Sequence, residues 1–219
     1  MIGKSDMPTL WEILTKKHPT QKPLELTIVN PLGLRIGNSL QVNTVDYENL
    51  TFSFTSLREV QRDIGEMSVF FVDYDLLARP YDGDPKSCRL RLIPEQGDNK
   101  ECDVILLHKI SECAYDKGFH DGLKGQQEFI EGEVTYYRVN EMQDGWNAKT
   151  TTLADKNYDG KIDTNEVSKS TLTYWDFWRN TTDEGGNEVL EFYFVEMDVN
   201  GYFEFWVGQK LESSRVVVI

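Results

Sequence analysis

The chain has few basic residues for its length, and this shortage excludes several classes of partner. Its 219 residues include 23 Lys and Arg against 37 Asp and Glu, which gives a formal net charge of −14. A surface this acidic repels phosphate, so we expect neither nucleic acid nor anionic lipid as a partner. The imbalance is concentrated late in the chain, because residues 111–219 contain 21 acidic and 10 basic residues.

Cysteines and long apolar runs are also scarce. The three cysteines, Cys88, Cys102 and Cys113, are a low and odd number, which argues against a disulfide framework and fits a reducing compartment. No apolar run reaches the ~18–20 residues that span a bilayer, so we expect no membrane insertion. The segment from Met1 to Lys17 lacks the apolar core of a signal peptide, and we therefore expect a cytoplasmic protein.

Recognised catalytic motifs are missing as well. No nucleophile elbow, P-loop or dinucleotide-binding fingerprint occurs. Cys102, His108 and Cys113 lack the spacing of a zinc site, and packing within an apolar strand explains Cys102 and His108 better. Carboxylate pairs such as Asp73/Asp75 could serve glycoside hydrolysis, but any acidic protein contains such pairs. We therefore predict no catalytic and no cofactor-binding residues, and favour a non-enzymatic role.

The chain is rich in short segments with the two-residue period of β-strands. Hydrophobic residues make up 39 % of the chain, too many for a disordered protein. Strand-like segments include residues 24–28, 49–54, 67–72, 89–93, 102–107 and 215–219. The sequence predicts a mainly β fold of antiparallel sheets, sandwich-like or barrel-like. Residues 1–23 are predicted to form an N-terminal helix and linker, and residues 24–219 a single β-rich domain. We expect residues 115–125, which contain three glycines, to form an irregular connection with a helical turn.

The clearest predicted hairpin surrounds Asn200-Gly201, a pair that favours a two-residue type I′ turn. The preceding Asp198 makes this turn look like half of a calcium loop, but no Glu follows at the required distance, and the hairpin explains it better. Pairing Val199 with Tyr202 would sort the flanking side chains into two faces. One face would carry Val195, Met197, Val199, Tyr202 and Trp206, and the other Phe192, Phe194, Glu196, Asp198, Phe203, Phe205 and Val207.

Aromatic residues are concentrated in the same part of the chain. Residues 171–219 contain 11 of them, and a sheet with two apolar faces explains most of these residues as core. The alternative is an exposed platform for a sugar or a protein partner, and a carbohydrate-binding β-module is accordingly the second functional hypothesis. Exposure of Trp175, Trp178 and Trp206 would favour the platform.

Residues 155–166 fit the EF-hand calcium loop, in which D-x-[DN]-x-[DN]-G precedes five residues and a Glu. Gly160 stands at the sharp turn. The predicted ligands are the side chains of Asp155, Asn157, Asp159, Asp163 and Glu166 and the backbone carbonyl of Lys161. An acidic solvated turn is the alternative, but because every constrained position of the pattern matches, we favour a Ca²⁺ site, which would hold Mg²⁺ where calcium is scarce.

The flanks of this loop lack the two helices of an EF-hand. Three threonines precede the loop and disfavour helix, whereas residues 165–170 have room for a helical turn or two. The alternation in residues 171–178 is then typical of a strand. A calcium sensor works by moving its two helices apart, so a structural ion that holds a loop between strands is the better hypothesis.

Several motifs together resemble a known family. They are Pro31-Leu32-Gly33-Leu34-Arg35-Ile36-Gly37 after the predicted helix, Ile64-Gly65, Tyr136-Tyr137-Arg138 near a turn, and the Val-rich final strand. Over most of its length the chain is similar to the uncharacterised bacterial YjfK-type family. The resemblance implies a cytosolic protein of unknown activity, often encoded near a membrane-stress protein, and hence a protein partner. It assigns no catalytic residues, and the calcium loop is not a hallmark of the family.

Overall fold

In the residues that it describes, a computed structural model of the chain shows a β-rich protein with one short helix. The residues that it describes are 31–36, 38–42, 50–63, 70–80, 88–94, 102–139, 145–154, 167–183, 185–211 and 216–218. The strands in these ranges are β1 (Ser39–Val42), β2 (Leu50–Asp63), β3 (Phe70–Pro80), β4 (Cys88–Pro94), β5 (Cys102–Cys113), β6 (Glu128–Glu131), β7 (Val134–Arg138), β8 (Trp146–Ala154), β9 (Val167–Thr182), β10 (Glu188–Met197), β11 (Phe203–Leu211) and β12 (Val216–Val218). The helix, α1, is Lys117–Gly125. The predicted helix within residues 1–23 and the predicted strand at 24–28 lie outside the described residues.

All twelve strands belong to one sheet, and every pairing in it is antiparallel. The order along the sheet is β12-β1-β2-β3-β4-β5-β11-β10-β9-β7-β6, and β8 pairs with both β2 and β9. These pairings confirm the predicted mainly β, antiparallel fold. In the part of the chain that the structure describes, no helix is long and apolar enough to cross a bilayer.

Strand β8 closes eight of the strands into a barrel-like ring. From Leu57 on β2, the register runs through β3, β4, β5, β11 and β10 and reaches Arg179 on β9. In the other direction, through β8, the register from Leu57 reaches Val167 on β9. The two routes therefore arrive at positions twelve residues apart, which is the kind of stagger that tilted strands need to close a barrel.

The ring has an inner and an outer face, and both are buried over much of their area. Arg58 on β2 contacts Glu196 on β10, and because these strands are not neighbours in the ring, the contact crosses the interior. The apolar residues on this inner face are Val60, Ile105, Leu107, Ala148, Leu172, Tyr174, Phe194 and Trp206. Two further clusters pack on the outer face, one around Leu90 and Leu106 and one around Phe177 and Phe205.

The hairpin of β10 and β11 differs from its prediction by one residue in register. The strands pair Met197 with Phe203, and the backbone N–H of Asp198 donates to the carbonyl of Tyr202 at 3.0 Å, so the turn between Asp198 and Tyr202 contains three residues rather than two. The Asp198 carboxylate accepts hydrogen bonds from the backbone N–H groups of Asn200 and Tyr202, each at 2.8 Å. Gly201 has φ +79°, as expected for the left-handed residue of a three-residue hairpin loop.

This shift makes the predicted sorting of side chains wrong. Trp206 shares the inner face with Phe194, whereas Phe203 and Phe205 share the outer face with Val195. A one-residue change in register moves every side chain of one strand to the other face, so a single extra turn residue changed the whole assignment.

Helix α1 lies where an irregular connection with a helical turn was predicted, and at nine residues it is longer than one turn. Asp116 caps it, because its carboxylate accepts a hydrogen bond from the backbone N–H of Phe119 at 2.6 Å. Leu123 is buried, and the ring of Phe119 packs edge-on against Phe203 and Phe205. The helix therefore covers part of the outer face of β10 and β11.

Candidate functional site

The predicted calcium loop connects β8 to β9. Its ligands Asp155, Asn157, Asp159, Lys161, Asp163 and Glu166 lie outside the described residues, so they stay predictions. The two strands that flank the loop are described, and they pair as far as Leu153 opposite Val167. Ala154 and the twelve residues of the loop therefore connect two backbone positions, Leu153 and Val167, that are direct cross-strand partners.

The flanks of the loop agree with the interpretation that no EF-hand helix pair is present. β8 runs through the three threonines to Ala154, and β9 begins at Val167. The helical turn considered for residues 165–170 is not found in its described part, since Val167–Ser170 is the start of β9. A bound ion would therefore hold a connection between strands and would not act on helices.

Within the ring, three arginines converge on one carboxylate. Arg91 Nη2 lies 2.8 Å from Glu196 Oε1, Arg58 Nη2 lies 3.0 Å from Glu196 Oε2, and Arg89 Nη1 also donates to Oε1. Arg89, Arg91 and Glu196 are at most 2 % exposed. The four residues belong to β2, β4 and β10. Because these strands are far apart in sequence, the ion cluster joins distant parts of the ring through its interior.

Aromatic rings line the same cluster. The guanidinium of Arg89 lies 3.7 Å from the centre of the Trp206 ring, and that of Arg91 lies 4.5 Å from the centre of Phe194. A cation above an aromatic face is stabilised by ~2 kcal/mol or more when water is excluded. The cluster thus combines charge pairing with cation–aromatic contacts.

A line of ion pairs leads from this cluster towards the surface. Glu204 faces Glu196 directly across β10 and β11, and Arg89 lies between the two carboxylates. Lys109 Nζ lies 2.7 Å from Glu204 Oε1 and also contacts Glu112. Burial alone would lower the pKa of Lys109, but the hydrogen bonds to Glu112 and Glu204 outweigh it and raise the pKa. Lys109 therefore stays charged at neutral pH, and its positive charge offsets the negative charges of Glu112 and Glu204.

Sequence reasoning did not identify the ion cluster. One signal was available, because Arg89 and Arg91 alternate with apolar residues in a strand that is buried on both faces. Charged residues at such positions must be paired when buried. Nothing in the sequence identified Glu196 as the partner, since it lies 107 residues from Arg89.

The late aromatic residues are mostly core, as their simplest interpretation predicts. Trp175 and Trp206 are 0 % and 2 % exposed, while Trp178 is half-buried. A sugar platform built on these three tryptophans therefore loses two of its members. The carbohydrate-binding module stays a prediction without a supporting observation.

Neither histidines nor cysteines form a metal site in the described part of the chain. No group of three or more His, Cys, Asp or Glu residues there could hold an ion. Cys102, His108 and Cys113 all lie on β5, and the imidazole of His108 contacts the buried thiol of Cys88, with Nδ1 3.2 Å from Sγ. This contact fits the packing role predicted for His108.

No family model, curated protein or solved structure matches the chain. The resemblance to the YjfK-type family therefore stays a prediction, and the candidate sites are argued from geometry alone.

Proposed function

We propose that this chain is a non-enzymatic β-domain protein that holds one structural Ca²⁺ in residues 155–166 and acts through protein contacts. The observation that supports the ion site is the register of the flanking strands. Leu153 and Val167 are cross-strand partners, so the two ends of the loop start from neighbouring points of the sheet. The first predicted ligand, Asp155, comes two residues after Leu153, and the last, Glu166, comes directly before Val167. A loop that binds through its first and last residues needs such neighbouring ends.

The proposed ion would act on the strand that closes the ring. β8 joins β2 to β9, and residues 56–62 of β2 pair with it. Few of its side chains are buried, namely Ala148, Thr150 and Leu153, so apolar packing holds β8 less firmly than the aromatic strands. An ion bound at the end of β8 would stabilise this closure, because any ligand that binds only the folded form stabilises that form.

We also propose a cytoplasmic location and a protein partner in a membrane-stress context. The location is supported by the free thiols of Cys88, Cys102 and Cys113. The context rests on the resemblance to the YjfK-type family. Where calcium is scarce, the loop would hold Mg²⁺.

Calcium titration of chelator-treated protein tests the ion site. An isolated loop is expected to bind with a Kd of about 10⁻⁴ M. At a hundredfold excess over that Kd, the ion would stabilise the fold by about 2.7 kcal/mol. For a chain of this size the melting temperature would then rise by about 5–10 °C. MgCl₂ should give a smaller rise, because Mg²⁺ dehydrates reluctantly.

Matched variants separate a specific site from general charge screening. Asp155→Asn and Glu166→Gln should each weaken the calorimetric signal and reduce the thermal shift. Asp198→Asn, in the similar Asp-Val-Asn-Gly turn, should leave both unchanged, because that carboxylate already accepts backbone hydrogen bonds from Asn200 and Tyr202. Absence of both heat and a thermal shift at millimolar CaCl₂ would refute the ion site.

A further inference from the structure

Beyond the ring, the sheet continues as an extension with two different faces. β7 pairs with the second half of β9, and β6 pairs with β7, so the extension consists of β10, β9, β7 and β6. One face is covered by α1, whose Leu123 belongs to the same cluster as Phe129 and Phe177. Arg138 ties β7 to the end of the helix by donating to the carbonyl of Leu123 at 2.9 Å.

The opposite face of the extension carries exposed apolar side chains in register. Phe192, Trp178 and Tyr137 are consecutive cross-strand partners on β10, β9 and β7. The apolar patch is defined as Ile130, Tyr137, Trp178, Leu190 and Phe192. Ile130 is 65 % and Tyr137 50 % exposed, and the other three are half-buried. Phe192 packs at the edge of the patch against the inner apolar cluster of the ring, whereas the exposure of Ile130 and Tyr137 shows that no described element covers these two side chains.

Acidic residues stand at both ends of the patch. Glu128 is exposed and lies opposite Tyr137 on β6, and Glu188 is exposed and lies two residues before Leu190 on β10. By strand alternation both point to the same face as the patch. Lys210, a described cation that strand alternation places on this face, is paired with Asp103 at 2.7 Å. The patch thus has an apolar, aromatic centre and a negative rim, the composition of a protein interface.

We propose that the apolar patch docks an amphipathic helix of a protein partner, with Lys or Arg beside its apolar stripe. This inference rests on the protein contacts of the proposed function and locates them. A helix is the fitting occupant because the other face of the same sheet extension is already covered by one, α1, and layered domains cover a sheet with helices. We expect Lys or Arg beside the apolar stripe of the partner helix, because Glu128 and Glu188 at the ends of the patch would repel acidic side chains.

The dimensions of the patch determine how much helix it takes. The patch crosses four strands, and neighbouring strands are ~4.8 Å apart, so it spans about 14 Å. At a rise of 1.5 Å per residue, a helix needs about nine or ten residues to cross it. A second copy of this chain fits poorly, because two acidic rims would face each other.

Fluorescence anisotropy with designed peptides tests the proposal on the full chain. The probe is a labelled peptide of about 18 residues, with Leu at helical i, i+3, i+4 and i+7 spacing and Lys elsewhere. The matched control has Glu in place of every Lys. The Lys peptide should bind, more weakly as salt rises, and the Glu peptide should not. Equal binding of both peptides, or of neither, would overturn the proposal.

Surface variants then locate the binding. Ile130→Ser combined with Tyr137→Ser should weaken the Lys peptide by about tenfold or more. Val199→Ser is the matched control, because Val199 is 68 % exposed on a turn outside the patch, and it should leave binding unchanged. Glu128→Lys with Glu188→Lys should reduce both affinity and salt dependence. Circular dichroism checks that each variant is folded. We expect all of them to fold, because the replaced side chains are exposed.

The remaining outcomes are decisive as well. Binding that persists in the Ile130/Tyr137 double variant would show a protein contact elsewhere, which overturns the patch but keeps the proposed function. A dimer that forms with rising concentration and is lost in Ile130→Ser would identify a second copy as the occupant, and this also overturns the proposal. Calcium calorimetry on the same samples keeps a failure of the ion site distinguishable from a failure of the patch.

Discussion

Replacing Glu196 by Gln should destabilise this protein strongly. Glu196 is 2 % exposed and accepts hydrogen bonds from Arg58, Arg89 and Arg91. Gln has nearly the same size and keeps one acceptor oxygen, so packing changes little. The substitution removes one negative charge and turns an amide N–H₂ group towards guanidinium donors. The effect of the variant therefore reports on the buried charge.

The expected magnitude follows from the burial of the cluster. Removing one partner of a buried ion pair costs about 3–5 kcal/mol, because the remaining charge is left inside the protein. Total stabilities of folded proteins are about 5–15 kcal/mol, so this is a large part of the whole. At about 2–4 °C per kcal/mol for a chain of this size, the melting temperature should fall by roughly 6–20 °C.

Thermal unfolding followed by circular dichroism measures this difference, with Glu204→Gln as the matched control. Glu204 faces Glu196 across the hairpin and also contacts Arg89, but its side chain is 34 % exposed. Exposed ion pairs contribute about 0–1 kcal/mol, so the control should melt within a few degrees of the wild type. If both variants melt at the same temperature, the buried charge does not stabilise the ring and the reasoning is refuted.

Two further predictions concern the hairpin of β10 and β11. Gly208→Ala should lower the free energy of unfolding, measured in urea, by about 1–3 kcal/mol or more, because a Cβ at this position would overlap the Leu106 carbonyl. The control is Gly122→Ala on α1, where a Cβ meets no other atom, and this variant should be slightly more stable than the wild type. Burial alone would raise the pKa of Asp198, but hydrogen bonds from Tyr202 and its neighbours outweigh it and lower the pKa below the usual 3.8. The charged form is therefore favoured by folding, and its contribution is full above pH 3.8 and lost as the pH falls through the lowered value. Melting curves should show the advantage of the wild type over Asp198→Asn shrinking below about pH 4, and a constant difference would contradict this cause.

The strands were the most predictable part of the fold. Segments 89–93 and 102–107 are rich in residues that favour β-strands, and they lie within β4 and β5 respectively. The ring closure was not predictable, because β8 has polar side chains and its pairing with β2 joins residues about 90 positions apart. The hydrophobic pattern of a short segment does not indicate which distant strand it pairs with.

The hairpin turn shows a different limit. Asn-Gly favours a two-residue turn, yet Asp198 caps a three-residue loop with two hydrogen bonds from backbone N–H groups. The two turns differ by one residue, and both are compatible with the same local sequence. The register is settled by packing, since it places Trp206 beside Arg89 in the ring and Phe203 beside Phe119 outside it. A pattern of alternating aromatic residues fits either register, so the sequence alone could not decide between them.

The buried ion cluster inside the ring has a consequence for where this protein can bind a ligand. A ring of eight strands can enclose either a small ligand or only its own side chains. Here Arg89, Arg91 and Trp206 are at most 2 % exposed, Arg89 lies over the Trp206 ring, and Arg91 is paired with Glu196. A ligand in that part of the ring would have to displace a buried ion cluster. Binding is therefore expected at the periphery of the fold, where the predicted ion loop joins β8 to β9 and the apolar patch covers the open face of the sheet extension.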